Sequence, residues 1–204
     1  MDAKPINLVA NEPFAFFLEF LKHPLQLGSV IPSSRFLEKR VLESAEISTA
    51  KMIVELGPGT GGTTRSILNA MGSDARLLSI EINPQFLPFL ARIEDERLIA
   101  HLGSAANLRH ILALYNLPAP DVIVSGIPFS TMSESIGTQV IKEIAEALAP
   151  DGCFVAYQAR SKVATLCRPV LGEEKSAVEL LNIPPMRVYK WERNGGRPKV
   201  LQNQ

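Results

Sequence analysis

The chain is poor in the residues that build metal centres and disulfide frameworks. Its 204 residues include two cysteines, Cys153 and Cys167, and three histidines. Neither cysteine belongs to a CxxC pair, so a rich metal cluster or a disulfide scaffold is excluded and no metal is expected. The two thiols read as reduced, as in a cytosolic protein. Net charge is also missing: 21 Lys and Arg balance 21 Asp and Glu, for a formal charge of zero. That removes any overall attraction to nucleic acid and leaves only local basic patches. No apolar run reaches the roughly 18 residues that a membrane-spanning helix needs. The start, Met1-Asp2-Ala3-Lys4-Pro5, carries no secretory-signal pattern. There is no internal repeat and no low-complexity segment.

What is present suits one globular domain over residues 1–204. Hydrophobic residues make up 46% and charged residues 21%, enough to bury a core. Pro13 to His23 reads as a short helix holding Phe14, Phe16, Phe17, Leu18, Phe20 and Leu21, stopped by Pro24. Ser33 or Ser34 is placed to cap a second helix running to Ser44, with Arg35, Lys39 and Arg40 on a basic side and Phe36, Leu37, Val41 and Leu42 facing inward. Residues 12–45 thus form a helical extension ahead of an α/β core over 51–204. In that core, strand patterns at Met52–Leu56, Arg76–Ile80, Arg97–His101, Asp121–Val124 and Cys153–Gln158 alternate with helical patterns at Thr63–Met71, Pro84–Ile93, Ala106–Tyr115 and Ser135–Leu148. Lys162 to Leu181 is read as containing one or two short helices. Met186–Trp191 and Arg197–Leu201 read as strands of a closing hairpin. The alternation predicts a doubly wound, mostly parallel sheet of seven strands with helices on both faces.

Glu55-Leu56-Gly57-Pro58-Gly59-Thr60-Gly61 is the sharpest local feature. It joins a strand to a helix N-terminus, where ligands of doubly wound sheets bind. Small residues let the backbone turn tightly and approach a ligand. No GKS or GKT follows, so it is not a P-loop. The carboxylate of Glu55 disfavours a pyrophosphate and favours a ligand with a positive amino group. Glu81, ending the second strand, is placed to accept both hydroxyls of a ribose. Ser104, beyond the third strand, is placed equally well to meet an adenine amine or to cap a helix.

These residues resemble the class I S-adenosylmethionine-dependent methyltransferases over roughly Lys51 to Tyr157. The resemblance implies a Rossmann-like fold and S-adenosylmethionine as cofactor, leaving as S-adenosylhomocysteine. It places the methionine part of the cofactor against Glu55, Gly57, Pro58, Gly59, Thr60 and Gly61, and the ribose against Glu81 and Ile82. The adenine side is assigned to Gly103, Ser104 and Ala105, where the family often has an Asp and this chain has none. Ser125 completes the cofactor contacts.

The turn after the fourth strand, Ser125-Gly126-Ile127-Pro128-Phe129, lies beside the transferred methyl in such a fold. A proline-stiffened turn points backbone carbonyls at an amine, and the Phe129 ring offers a face to a cation. With His23-Pro24-Leu25-Gln26-Leu27-Gly28-Ser29-Val30-Ile31-Pro32-Ser33-Ser34 and Asn182-Ile183-Pro184-Pro185, this turn is similar to bacterial phospholipid N-methyltransferases from about Phe14 to Trp191. In place of that family's Gln-Phe-Thr-Tyr stretch stands Gln158-Ala159-Arg160-Ser161. The resemblance implies methylation of an amine head group such as that of phosphatidylethanolamine, in the cytoplasm at the inner face of the cell membrane; the oligomeric state is left open, with a monomer favoured. Substrate contacts are then expected at Gly126, Ile127, Pro128, Phe129, Arg160 and Arg168, and catalytic roles at Tyr157, Phe129 and Ser125. Phe16, Phe17 and Phe20 with Lys22, Arg35 and Lys39 are expected to meet an anionic membrane surface, or to lid the site. Three other readings stand beside this one: an RNA adenine N6-methyltransferase, a small-molecule amine methyltransferase, and a cofactor- or membrane-binding protein without turnover.

Overall fold

A computed structural model describes residues 33–193. The expected helix at Pro13–His23 and the strand at Arg197–Leu201 lie outside them. The first element is α1 (Arg35–Ala45), whose N-cap is Ser34: its hydroxyl accepts the Leu37 N–H. Then follow β1 (Met52–Leu56), α2 (Gly62–Ala70), β2 (Arg76–Glu81), α3 (Leu87–Leu90), β3 (Leu98–Leu102), α4 (Leu108–Leu114), β4 (Val122–Ser125), α5 (Glu134–Ala147), β5 (Cys153–Gln158), α6 (Lys162–Leu171), β6 (Lys175–Glu179) and β7 (Met186–Glu192).

Among the described residues these strands form one seven-stranded sheet in the order β3-β2-β1-β4-β5-β7-β6. The first five are parallel; β7 runs antiparallel between β5 and β6. Every residue of β1 and β4 is buried, as both faces of a central parallel strand must be. One face packs Ile53, Leu77, Val124 and Val155 against Leu37, Val41 and Ala45 of α1 and Ile67 and Leu68 of α2. The other packs Val54, Leu78, Ile123 and Phe154 against α4, α5 and α6 through Leu108, Val140, Ile144 and Val163. The alternation along β1 therefore feeds two cores, and α1 belongs to one of them.

The structure corrects three expectations. The segment Lys162–Leu181 holds one short helix, as expected, but then a strand that was not expected. α6 stops at Gly172, whose φ of 84° only glycine adopts readily, and β6 follows. As an edge strand exposed at its first four positions, β6 carries no apolar alternation, and backbone pairing with β7 decides its state. It supplies the seventh strand of the sheet among the described residues. Second, the helix expected over Pro84–Ile93 shrinks to the single turn α3, with Pro88 in its first turn. Third, Phe36 is exposed rather than inward-facing, with the Arg35 guanidinium 4.9 Å above its ring.

Candidate active site

β1 and β4 lie side by side, and the chain leaves their carboxyl ends in opposite directions, to β2 on one flank and β5 on the other. This is the switch point of a doubly wound sheet, where a crevice opens. The turn after β1 borders it. Gly57, Gly59 and Gly61 all have left-handed φ, at 74°, 56° and 82°. A Cβ on Gly57 would stand 3.2 Å from Ile127 Cγ1, whereas the space over Gly59 is open to 4 Å. The first glycine thus lets two turns approach each other, and the second leaves room for a ligand against backbone. Pro58 is buried and Thr60 exposed.

Two carboxylates stand under this turn. Glu55 is buried. Its Oε2 accepts hydrogen bonds of 2.7 Å from the Thr64 hydroxyl of α2 and from the Ser79 hydroxyl of β2. Its Oε1 is buried with no hydrogen-bond partner. Burial pushes its pKa up to about 7, against the lowering effect of those two hydroxyls. Glu81 is also buried, and burial raises its pKa from the ordinary value. Its Oε2 accepts the Gly59 N–H at 3.0 Å and its Oε1 the Asn83 N–H at 2.8 Å, so one acid braces the glycine turn and the exit from β2. The Ile82 N–H bonds the carboxylate as well, and a carboxylate's roughly four lone-pair sites still leave Glu81 capacity for a hydroxyl. Ile82 beside it is half-buried. Farther along, Gly103 donates its N–H to Glu81 O at 2.8 Å, Ala105 is buried, and the Ser104 hydroxyl accepts the Ala106 N–H at 3.2 Å as a helix cap.

The turn after β4 faces the glycine turn. Ser125 is buried and its hydroxyl accepts the Ile127 N–H at 3.3 Å. Gln158, at the end of β5, donates from Nε2 to Ile127 O at 2.6 Å, and Lys162 donates to Met132 O at 2.6 Å; both pin the turn to the next strand and helix. Tyr157 lies over Gly126, where an added Cβ would stand 2.5 Å from the phenol oxygen. That oxygen lies 3.3 Å from the Thr63 hydroxyl, and burial pushes its pKa up to about 12. Tyr157 is therefore a neutral phenol at the meeting of both turns.

Glu55, Glu81, Ser125, Gly126 and Tyr157 thus converge. Two other candidates do not fit their expected roles. Phe129 is fully buried in the core beneath the turn, so its ring shows no open face to a cation. Arg168 lies in the last turn of α6, carried back from the carboxyl ends of the strands, and is paired with Glu174 at 2.7 Å and Glu173 at 3.4 Å. Arg160 is exposed at the bend directly after β5. Sequence reasoning missed Thr63, Thr64, Ser79 and Gln158 as supports. Ser79 had a signal: a lone polar residue inside an apolar strand, two positions from Glu81 and hence on its face.

No family model matches the chain. It is 28% identical over 183 residues to the ornithine lipid N-methyltransferase of Singulisphaera acidiphila, a match covering 86% of this chain and 93% of that one. It is 29% identical over 104 residues to the ribosomal RNA small subunit methyltransferase A of Thermotoga maritima, covering 51% of this chain but 35% of that one. Among solved structures, it superposes on N-methyltransferase NodS from Bradyrhizobium japonicum WM9 in complex with S-adenosyl-L-homocysteine. The TM-score is 0.65 at 14% identity, covering 90% of this chain and 99% of that one. The fold, the acid-and-glycine turn and the strand-end Glu81 now stand together with these relatives. The chain has the class I methyltransferase fold and is an S-adenosylmethionine-dependent methyltransferase.

The site of this methyltransferase fits its cofactor. The unpartnered, buried Oε1 of Glu55 suits a positively charged amino group, and the open space over Gly59 admits a ligand against the turn. Glu81 is placed for ribose hydroxyls, with Glu55 and Glu81 coming from adjacent strands. Among the described residues no cluster of His, Cys, Asp and Glu is suited to a metal.

Proposed function

We propose that this methyltransferase transfers a methyl group to the primary amine of a membrane-lipid head group, such as phosphatidylethanolamine or an amino-acid lipid. The observation that carries the reading is the relationship to an ornithine lipid N-methyltransferase across nearly the whole of both chains. The ribosomal RNA methyltransferases match only about half of this chain and about a third of their own length. The acceptor turn supports a neutral amine too. It opens with Ser125 and carries no charged residue through Phe129.

When bound, S-adenosylmethionine supplies the sulfonium methyl. Glu55 holds the cofactor's amino end through its free Oε1, and Glu81 holds the sugar. The acceptor amine needs its lone pair, so it enters neutral. The phenol oxygen of Tyr157, protonated at neutral pH, accepts an N–H of the amine and orients the lone pair. Gln158 and Lys162 hold the turn after β4 still, so catalysis comes chiefly from positioning two partners. Arg160, at the carboxyl end of β5, is the cation placed for a head-group phosphate, a role an amino-acid lipid does not need.

Labelled S-adenosylmethionine offered with vesicles containing phosphatidylethanolamine, vesicles containing an ornithine lipid, unmodified ribosomal RNA, and soluble ethanolamine derivatives tests the proposal. Label in the lipid phase is expected, and Arg160→Ala is expected to raise KM for the phosphate-bearing lipid alone. Label in RNA or in the soluble amine, with none in lipid, overturns it.

A further inference from the structure

The loop joining β6 to β7, Leu180-Leu181-Asn182-Ile183-Pro184-Pro185, is inside out. Leu180, Leu181 and Ile183 are 72%, 62% and 75% exposed, and both prolines are exposed. Its one polar side chain, Asn182, is buried: Oδ1 accepts the Ser34 N–H at 2.9 Å and Nδ2 donates to Pro184 O at 2.8 Å. Glu179, at the loop's base, also turns inward. It accepts from Arg40 Nε at 2.8 Å and from the Leu181 N–H at 2.9 Å. Polar groups are thus spent on bracing the loop against α1, and the large aliphatic side chains are left facing out. Scattered exposed apolar residues need no explanation, but three large ones on a braced, carboxylate-free tip do.

The position of this tip is the second observation. β6 runs parallel to β5, and Glu179 pairs with Met186 next to the Gln158–Arg187 pair. The loop therefore projects from the same end of the sheet as Ser125, Tyr157 and Arg160. Arg187 is exposed at its base, its Nη1 donating to the Ser176 hydroxyl of β6 at 3.2 Å, and Arg35 is exposed one residue beyond the Ser34 that the loop holds. Among the described residues neither arginine forms an ion pair. Apolar side chains flanked by two exposed arginines complement an interface of acyl chains and anionic phosphates.

We propose that the β6–β7 loop is a bilayer-contact element: Leu180, Leu181 and Ile183 enter the interface of an anionic membrane, and Arg35 and Arg187 meet its phosphates. The proposal rests on the lipid reading of the site, because an acceptor anchored by its acyl chains reaches Tyr157 only if this end of the sheet faces the membrane. It moves membrane contact from the Phe16–Phe20 segment alone to a surface carried by the folded core.

The test uses the full chain and two kinds of vesicle, phosphatidylcholine with and without phosphatidylglycerol. Flotation of the wild type is expected with the anionic vesicles. Leu181→Asp with Ile183→Asp is expected to lower the bound fraction at least tenfold, and Arg35→Gln with Arg187→Gln to remove the dependence on anionic lipid. S-adenosylhomocysteine affinity and methylation of a short-chain, monomeric amine lipid stay within about twofold. Because both native thiols are buried, a polarity-sensitive dye on Ile183→Cys reports insertion directly, and a blue shift on adding anionic vesicles is expected. Unchanged flotation of the aspartate variant, or no spectral change at Ile183→Cys, overturns the proposal. So does loss of a dimer in sedimentation of the aspartate variant, which would assign the tip to a second copy of the chain. Flotation and dye spectra are read without turnover, so absence of label in any lipid sinks the proposed substrate without deciding whether the loop inserts.

Discussion

At the scale of single residues, Glu55 has the most specific job. It is a buried acid with one oxygen held by two hydroxyls and the other unpartnered. Its pKa rises from the usual carboxylate range to about 7 in the fold, so between about pH 4.5 and 7 the folded chain keeps a proton that the unfolded chain has lost. Stability of the ligand-free protein therefore falls as pH rises through that window, by at most about 3 kcal/mol from this group. Glu55→Gln should flatten that part of a melting-temperature profile, and equal slopes in both proteins would refute it. Binding of S-adenosylhomocysteine to the wild type should strengthen as pH rises through 7. At pH 8 the variant should bind at least about tenfold more weakly by calorimetry, because a charge-assisted hydrogen bond is lost. Gly126 tests the meeting of the two turns. Its Cβ would strike the Tyr157 phenol oxygen at 2.5 Å and crowd Gly57 O at 3.1 Å. Gly126→Ala should cost about 1–3 kcal/mol in thermal unfolding, and less in a Tyr157→Phe background, which lacks the colliding oxygen. An equal cost in both backgrounds would show that the phenol is not what the methyl meets.

Elements are tied together by a few long-range polar bonds. Gln158 links β5 to the turn after β4. Gln158→Met should leave the buried Ile127 carbonyl without this donor, costing about 1–3 kcal/mol. As a positioning residue it should change kcat severalfold while S-adenosylhomocysteine affinity holds within about twofold. A loss confined to cofactor binding would remove it from the acceptor side. On the other face, Arg40 links α1 to β6, and its hydrogen bond holds the Glu179 carboxyl below the usual range. Such a pair stabilises above the unfolded acid's pKa, near 4.5, and the stabilisation disappears as pH falls through the depressed folded value. Arg40→Ala should therefore lower the melting temperature at pH 7 and lower it less and less on acidification below pH 4. A difference constant with pH would mean that the guanidinium acts by packing alone.

Taken whole, the molecule is a three-layer fold with its ligand ends gathered at one side of the sheet. If the cofactor binds folded protein only, S-adenosylhomocysteine at a hundred times its Kd adds about 2.7 kcal/mol. For a chain of this length that corresponds to a melting-temperature rise of about 5–10 °C. No shift, with no heat in calorimetry, would overturn the cofactor assignment for the whole molecule. Among the described residues no helix is long and apolar enough to cross a membrane, so reaching a lipid acceptor falls to surface elements. The β6–β7 tip and the basic residues near it are the described candidates.

Much of this was legible in the chain itself. The buried strands announce themselves by apolar runs such as Met52–Leu56. The glycine turn and its two acids are local chemistry: a positive φ needs glycine wherever the turn sits, and a carboxylate at a strand end points to a ligand end. What the local pattern did not hold was anything whose reason lies across the sheet. β6 is a strand because β7 offers it hydrogen bonds, not because its side chains alternate. Thr64 and Ser79 are polar in a core because they face Glu55, and Arg168 is lost to the site because α6 carries it away. Phe129 is written next to a reactive turn yet buried under it. Sequence sets what each residue and each short run prefers, through sterics and solvation that act over a few positions. Tertiary packing alone decides which of those preferences meet, because distance and burial are properties of the folded sheet.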